Sequence, residues 1–121
     1  HVHPSSQTEE EGARIMNDIL KEEDPPTAIF CANDCTALGV LRSLNKCRRK
    51  NYLPSVIAID NIRKSAKTSP MLTTIDIPKQ ELAHFALLLL LDQQKKAHKE
   101  CVRIELPCRL IERESCTYAP C

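Results

Sequence analysis

The hydrophobic positions in the first part of the chain follow a helical spacing between residues 8 and 23. Gly12, Met16, Ile19 and Leu20 recur at this spacing. Thr8 and Glu11 are spaced as in a capping box, in which the two side chains satisfy the first backbone N–H groups reciprocally. The pattern therefore predicts a helix with one apolar stripe, ending before Asp24 and the two prolines that follow.

Two short runs of consecutive apolar residues then appear, at 27–32 and 56–59, and each stops at a polar pair. Continuous runs of this length are typical of strands that are covered on both faces. The segment between them carries apolar residues at helical spacing and has no hairpin turn. A strand, a helix and a second strand in this order predict a parallel sheet.

The rest of the chain continues the alternation of strands and helices. We predict a strand at 72–77, a helix at about 79–96 after Pro78, and two short strands at 102–106 and 110–113, separated by Pro107. The helix has such a broad apolar surface that it has to be covered on most sides. The predicted fold class is α/β with a parallel sheet.

Composition adds little chemistry of its own. Apolar residues make up 42% of the 121 positions, enough for one core, and 17 Lys and Arg against 16 Asp and Glu give a net charge of +1. No strong field directs this segment to nucleic acid or to an anionic membrane. The longest apolar run is too short to span a bilayer, so we expect no membrane partner, and the absence of an initial Met suggests a piece of a longer protein.

The seven cysteines are scattered, odd in number and without a C-x-x-C pair. That arrangement favours reduced thiols in a cytoplasmic protein over a disulfide scaffold or a metal site. We expect neither a metal nor a cofactor. Catalytic motifs with a nucleophile, a phosphate-binding loop or a zinc-binding histidine pair are missing, so we do not expect an enzyme or any catalytic residue.

The polar pairs at the predicted strand ends are the best candidates for ligand chemistry. Asn33 and Asp34 follow the first strand, and Asp60 and Asn61 follow the second. Ligands of open parallel sheets bind beyond the carboxyl ends of the strands, where these groups would suit sugar hydroxyls or purine amino groups. Capping of the next helix is an equally good interpretation of Asn33.

Four segments of this chain together resemble the lactose/galactose-repressor family. Residues 26–39 read P-T-A-I-F-C-A-N-D-C-T-A-L-G, similar to a family pattern P-T-A-[ILV]-[FL]-x-A-N-D-x-x-A-L-G. Residues 56–62 resemble the strand that ends in Gly-[FY]-Asp-[DN], residues 69–75 the stretch S-P-x-L-T-T-[IV], and residues 110–115 the closing L-[IV]-x-R-x-S. Their order and separations agree along nearly the whole chain.

This resemblance implies a partial periplasmic-binding-protein-like fold of type I, mainly its C-terminal subdomain. Residues 1–72 and 108–121 would belong to that subdomain, and 73–107 to the N-terminal one. The implied function is that of a sugar- or nucleoside-responsive transcriptional repressor. Asn33 and Asp60 match effector-contacting positions, and Gln7 stands where many relatives stack an aromatic residue on the ligand.

The resemblance also implies a homodimer. The helix that begins near Cys35 matches one at the dimer interface, which places Leu38, Leu41 and Arg42 there, although a stripe of this kind also suits a core. Operator DNA would be bound only through an N-terminal helix-turn-helix outside this chain. The alternative is a secreted sugar-binding protein of the same fold that serves a transporter, against which the unpaired cysteines argue.

Overall fold

The computed structural model of the chain describes residues 2–47, 52–95 and 100–117. These residues form two compact units. The first unit comprises the described residues up to Asp76 together with those from Leu110 onward, and the second is Ile77–Arg109. The described part of the helix at 79–96 stops short of its predicted end, since Lys96 lies outside the described residues.

Three helices and four strands alternate along the chain. They are α1 (Glu9–Ile19), β1 (Ala28–Phe30), α2 (Asp34–Lys46), β2 (Ser55–Ile59), β3 (Thr73–Asp76), α3 (Lys79–Gln94) and β4 (Arg109–Ile111). The strands form one sheet in the order β1-β2-β3-β4, in which β2 runs parallel to both β1 and β3. The predicted α/β class with a parallel sheet is confirmed.

Helix α1 begins as its sequence predicts and ends earlier. The hydroxyl of Thr8 accepts the backbone N–H of Glu11 at 3.2 Å, which satisfies one of the free donors of the first turn. The Glu11 carboxylate instead accepts two hydrogen bonds from Arg14. The Glu11 side chain therefore forms a surface ion pair instead of the second hydrogen bond of the capping box. The helix ends at Ile19, before the predicted end at residue 23.

The chain's two glycines lie where α1 and α2 pack together. A Cβ at Gly12 would overlap the carbonyl oxygen of Thr36, and one at Gly39 would overlap that of Glu9. The two backbones can approach this closely only because neither position carries a side chain. This contact fixes α2, and with it the polar residues at its first turn.

The core lies between these two helices and one face of the sheet. Its residues are Ile15, Met16, Ile19, Cys31, Ala37, Val40, Leu41, Val56, Ala58 and Leu72. In β2 the buried positions alternate, so Val56 and Ala58 enter the core while their neighbours are only half-buried. Strand β1 lies at the edge of the sheet with Phe30 63% exposed. The prediction that both strands are covered on two faces is therefore wrong in this chain.

In the second unit, α3 leaves its apolar surface uncovered by the described residues. None of its side chains is buried, and several leucines are largely exposed. The strand predicted at 102–106 does not form, and Val102 and Ile104 are exposed. A strand needs a neighbour for its backbone hydrogen bonds, and none of the described strands pairs with this segment.

Candidate functional site at the carboxyl edge of the sheet

The register of β1 and β2 places Asn33 and Asp60 at the same height along the strand direction. Phe30 of β1 pairs with Ile57 of β2 in a parallel ladder. Asn33 and Asp60 each lie three residues beyond that pair. Both therefore follow the carboxyl ends of adjacent parallel strands at one edge of the sheet, where ligands of such sheets bind.

Asn33 caps helix α2 and also holds the third candidate in place. Its Oδ1 accepts hydrogen bonds from the backbone N–H and the hydroxyl of Thr36, both at 2.8 Å. Its Nδ2 donates to the backbone carbonyl of Gln7 at 3.1 Å and lies 3.5 Å from the Gln7 side-chain oxygen. The structure thus brings Asn33 and Gln7 together. The long side-chain contact is the one that a ligand could most easily replace.

Backbone conformation sets three residues near this edge apart from the others that the structure describes. Gln7, Asp60 and Asn61 have φ values of 61°, 123° and 50°. Positive φ is uncommon outside glycine, although asparagine tolerates the left-handed region, and such conformations cluster where the surrounding structure fixes a functional geometry. Asp60 is half-buried, and its backbone N–H donates to the carbonyl of Ile75 at 2.9 Å, which holds this bend against β3.

Arg113, which the sequence did not single out as a candidate, extends the polar edge through its contact with Asn61. Asn61 donates from Nδ2 to Asp76 Oδ1 at 3.1 Å and accepts from Arg113 Nη2 at 2.7 Å. Arg113 also donates to the carbonyl of Leu72 at 2.7 Å. A signal for this role was present, since Arg113 is the arginine of the closing L-[IV]-x-R-x-S segment, but its partner could not be read from the sequence.

Asp34 has a structural role in place of a ligand-binding one. Its side chain is fully buried and accepts hydrogen bonds from the backbone N–H of Ile62 and from the hydroxyls of Ser65 and Thr74. The carboxylate thereby joins the first turn of α2 to β3 and to the turn after β2. Its hydrogen bond from the Ile62 N–H also holds the neighbouring bend at Asp60 and Asn61 in place.

The thiol of Cys31, at the end of β1, is buried in the core. Burial, reinforced by the nearby negative charge of Asp34, raises the pKa of this thiol to about 12. A neutral thiol of this kind is a poor nucleophile at neutral pH. The six described cysteines are free thiols, while Cys121 lies outside the described residues.

A groove of about 540 Å³ lies beside β1 and α1. Its lining is mostly apolar and includes Ile15, Ile19, Ile29, Phe30 and Val40, together with Val2 and His3. Neither Asn33 nor Asp60 lines it. The groove is therefore distinct from the polar edge, and it offers little to orient a hydroxylated ligand.

The residues proposed for the dimer interface lie on a second, shallower depression of about 420 Å³. Leu38 and Leu41 form part of its lining but are only 8% and 3% exposed, and Leu41 belongs to the core. Arg42 is exposed and donates to Glu9 at 2.9 Å. The leucines therefore support this surface from beneath, and its polar residues form its outer layer.

The described residues contain neither a membrane-spanning helix nor a metal-binding cluster. None of the helices there is long and apolar enough to span a bilayer. Within ranges 2–47, 52–95 and 100–117, no three His, Cys, Asp or Glu side chains group so as to hold a metal ion.

Comparison with known proteins identifies close relatives along nearly the whole chain. Residues 1–116 match the model of the periplasmic binding protein-like domain. The chain is 38% identical over 112 residues to the HTH-type transcriptional repressor PurR of Photorhabdus laumondii and 39% identical to that of Escherichia fergusonii. Each alignment covers 92% of this chain and 33% of the relative, so the chain spans about a third of their length.

Solved structures of related regulators share the fold. A LacI-type regulator from Bacillus cereus subsp. cytotoxis superimposes with a TM-score of 0.82 at 29% identity, covering 91% of this chain and 39% of that one. A LacI family regulator from Enterococcus faecalis with bound ribose gives 0.76 at 33% identity, covering 92% and 41%. The Lac repressor dimer bound to operator gives 0.78 at 28% identity, covering 92% and 39%.

Proposed function

Because this chain belongs to the periplasmic binding protein-like family, as the C-terminal part of a LacI-type effector-binding domain, we propose that it senses a small molecule for a transcriptional repressor. The observation that carries the proposal is the register of β1 and β2. It sets Asn33 and Asp60 at one level beyond the carboxyl ends of two parallel strands.

The proposed effector is a sugar or a nucleoside. The Asp60 carboxylate accepts hydrogen bonds from two neighbouring hydroxyls, and the amide groups of Asn33 and Gln7 supply both donors and acceptors. Relatives that hold ribose and lactose in their structures support a ligand of this class. With Gln7 in place of an aromatic ring, the ligand is held at that point by hydrogen bonds more than by stacking.

The proposed mechanism is a shift between two states of the repressor. The resemblance assigns residues 73–107 to the other subdomain, whereas β3 (Thr73–Asp76) pairs with β2 in the first unit. We therefore place the start of that segment after Asp76, and an effector between the subdomains contacts both. An effector changes operator affinity only if it binds one state more tightly than the other. Operator DNA is bound by a segment outside this chain, and the repressor acts in the cytoplasm.

The proposed assembly is a homodimer that uses the outer face of α2, with Arg42 in the contact and Leu38 and Leu41 beneath it.

The relatives named above are repressors, which favours this function over a binding protein that serves a transporter. The site works by binding, and no catalytic step is assigned to it.

The test uses the whole protein that carries this chain, with operator duplexes that the protein itself selects from a random pool. Sugars and nucleosides are screened by thermal shift, and each hit is titrated while operator binding is followed by fluorescence anisotropy. Asp60→Ala should weaken the effector response by about 10- to 100-fold, because one charged hydrogen-bonding partner is lost, and leave effector-free operator binding unchanged.

The matched control is Asp18→Ala, which removes an exposed carboxylate of α1 and should leave the response intact. An Asp60→Ala protein with the effector response of the parent would refute the proposed site.

A further inference from the structure

The amide of Asn61 joins the two segments through which the chain leaves and re-enters the first unit. The chain leaves this unit after Asp76 and returns to it at Leu110. The Asn61 side chain donates from Nδ2 to Asp76 Oδ1 at 3.1 Å and accepts from Arg113 Nη2 at 2.7 Å. One side chain therefore contacts the last residue before the chain leaves and a residue shortly after it returns.

The orientation of this amide follows from its two partners. The guanidinium of Arg113 has only donors and requires the amide oxygen, whereas the carboxylate of Asp76 has only acceptors and requires the amide nitrogen. Turning the amide over would break both hydrogen bonds. All three side chains are half-buried, so water competes less for these contacts than it would at an exposed site. Asn61 is therefore held in one orientation between an anion and a cation.

The returning segment is also attached to β3 directly. Arg113 Nη1 donates to the carbonyl of Leu72 at 2.7 Å, and the backbone N–H of Arg113 donates to the Thr73 hydroxyl at 2.9 Å. Thr73 begins β3 and Asp76 ends it. Asn61 thus contacts the end of this strand and the segment that is bonded to its beginning.

Asn61 directly follows Asp60, which the proposed function places against the effector. The backbone N–H of Asp60 donates to the Ile75 carbonyl at 2.9 Å, and that of Asn61 donates to the Thr74 hydroxyl at 3.3 Å. A ligand that pulls on the Asp60 side chain therefore acts on the same stretch of backbone that carries the Asn61 amide.

From these contacts we propose that Asn61 is a positioning residue that transmits the effector's hold on Asp60 to both crossing segments. The inference rests on the proposed function, because it requires an effector at Asp60. Asn61 sets how far a bound effector changes operator affinity, and not how tightly the effector binds. The two quantities separate because coupling is a difference in binding between two states of the protein, whereas contacts in the pocket set the affinity of each state.

A charge exchange tests the bridge. Asn61→Asp keeps an acceptor for Arg113 but sets a carboxylate beside that of Asp76, and like charges so close together repel. Asp76→Asn, added to it, supplies an N–H donor where the repelled carboxylate stood, so Asn61→Asp/Asp76→Asn rebuilds the bridge with donor and acceptor exchanged. Asn17→Asp makes the same change of charge at an exposed position of α1 and is the control.

The whole protein is titrated with the sugar or nucleoside that gives the largest shift in the thermal screen. Calorimetry measures the dissociation constant of this probe, and anisotropy measures operator affinity without the probe and at saturation. The ratio of the two operator affinities, about tenfold or more in the parent, should fall to about twofold or less in Asn61→Asp. Probe affinity should stay within about threefold of the parent. The double variant should regain most of the ratio, and Asn17→Asp should behave like the parent.

A ratio in Asn61→Asp equal to that of the parent would overturn the inference. So would a loss of probe affinity as large as the loss of the ratio, because Asn61 would then only support the pocket, and so would a double variant that behaves like Asn61→Asp.

The Asp60→Ala variant separates this result from the proposed function. If Asp60→Ala loses the response while Asn61→Asp keeps it, the role of Asn61 is refuted and the proposed function stands. If Asp60→Ala keeps the response of the parent, the proposed function fails and the role of Asn61 fails with it.

Discussion

The buried Asp34 shows how a single side chain can support a binding edge that it does not itself form. It accepts three hydrogen bonds from donors that lie 28 to 40 residues away along the chain. Those donors tie α2, β3 and the bend that carries Asp60 to one another. The geometry of the candidate site therefore depends on a residue that has no contact with solvent.

Asp34→Ala should lower the free energy of unfolding by about 3 kcal/mol or more, because one backbone N–H and two hydroxyls lose their acceptor in a buried place. Urea unfolding followed by circular dichroism measures the loss. Asp18→Ala, at an exposed surface pair, should change stability by less than about 1 kcal/mol. Equal effects of the two replacements would contradict the structural role of Asp34.

Cys31 should make stability fall at alkaline pH. The pKa of its thiol is raised from 9.0 to about 12 in the folded chain, so the unfolded state releases the proton first. The thiol's contribution is fully present below about pH 9 and declines by about 1.4 kcal/mol per pH unit up to about pH 12. Denaturation across this range should show a shallower decline for Cys31→Ala than for the parent, and parallel curves would refute the assignment.

Sequence reasoning located Asn33 and Asp60 because a strand end followed by a polar residue is a local pattern. It also predicted that Asn33 could cap α2, which the structure confirms. It did not find the roles of Asp34 and Arg113, since their partners are distant in sequence and only the folded chain brings them together. Whether Asn33, Asp60 and Gln7 contact an effector stays a prediction.

At the scale of elements, the helices and the four strands of the sheet, including β4 near the predicted 110–113, could be predicted because each has its own local signal. Capping residues and helical spacing mark α1 and α2, and short apolar runs mark β1 and β2. Whether a strand is packed against on both faces depends on residues distant in sequence. The prediction that β1 and β2 are covered on both faces was wrong for this reason. The prediction of a strand at 102–106 was also wrong, because a strand forms only where a neighbouring strand is available for pairing, and the local sequence does not show this.

The close packing of α1 and α2 gives a prediction for Gly39. Gly39→Ala should destabilise the chain by about 1–3 kcal/mol, because the added methyl group meets the α1 backbone and the helices must move apart. The usual gain of about 1 kcal/mol from alanine in a helix is outweighed. Thermal unfolding measures the change, and Asn17→Ala on the exposed side of α1 is the control. A stabilised Gly39→Ala chain would contradict the packing described.

At the scale of the whole molecule, α3 is the part of the chain that most clearly needs a covering partner. Leu87 and Leu91 lie one turn apart and are 56% and 40% exposed. Exposed apolar surface of this kind favours association. If this helix belongs to the other subdomain, as the resemblance implies, its covering residues would lie outside the described part of this chain.

The isolated 121-residue chain should therefore associate through α3, and Leu87→Gln/Leu91→Gln should shift its sedimentation profile toward the monomer. Val2→Gln replaces an exposed apolar residue outside the helix and should leave the profile unchanged. An unaltered profile for the double variant would show that the leucines do not drive association.

The central claim is that Asn33 and Asp60 hold the effector at the carboxyl edge of the sheet. A crystal structure of the whole protein with its sugar or nucleoside bound tests it most directly. The account predicts the Asp60 carboxylate and the Asn33 amide within about 2.7–3.2 Å of polar atoms of the ligand. A ligand seated in the apolar groove beside β1 and α1, out of reach of both side chains, would contradict it.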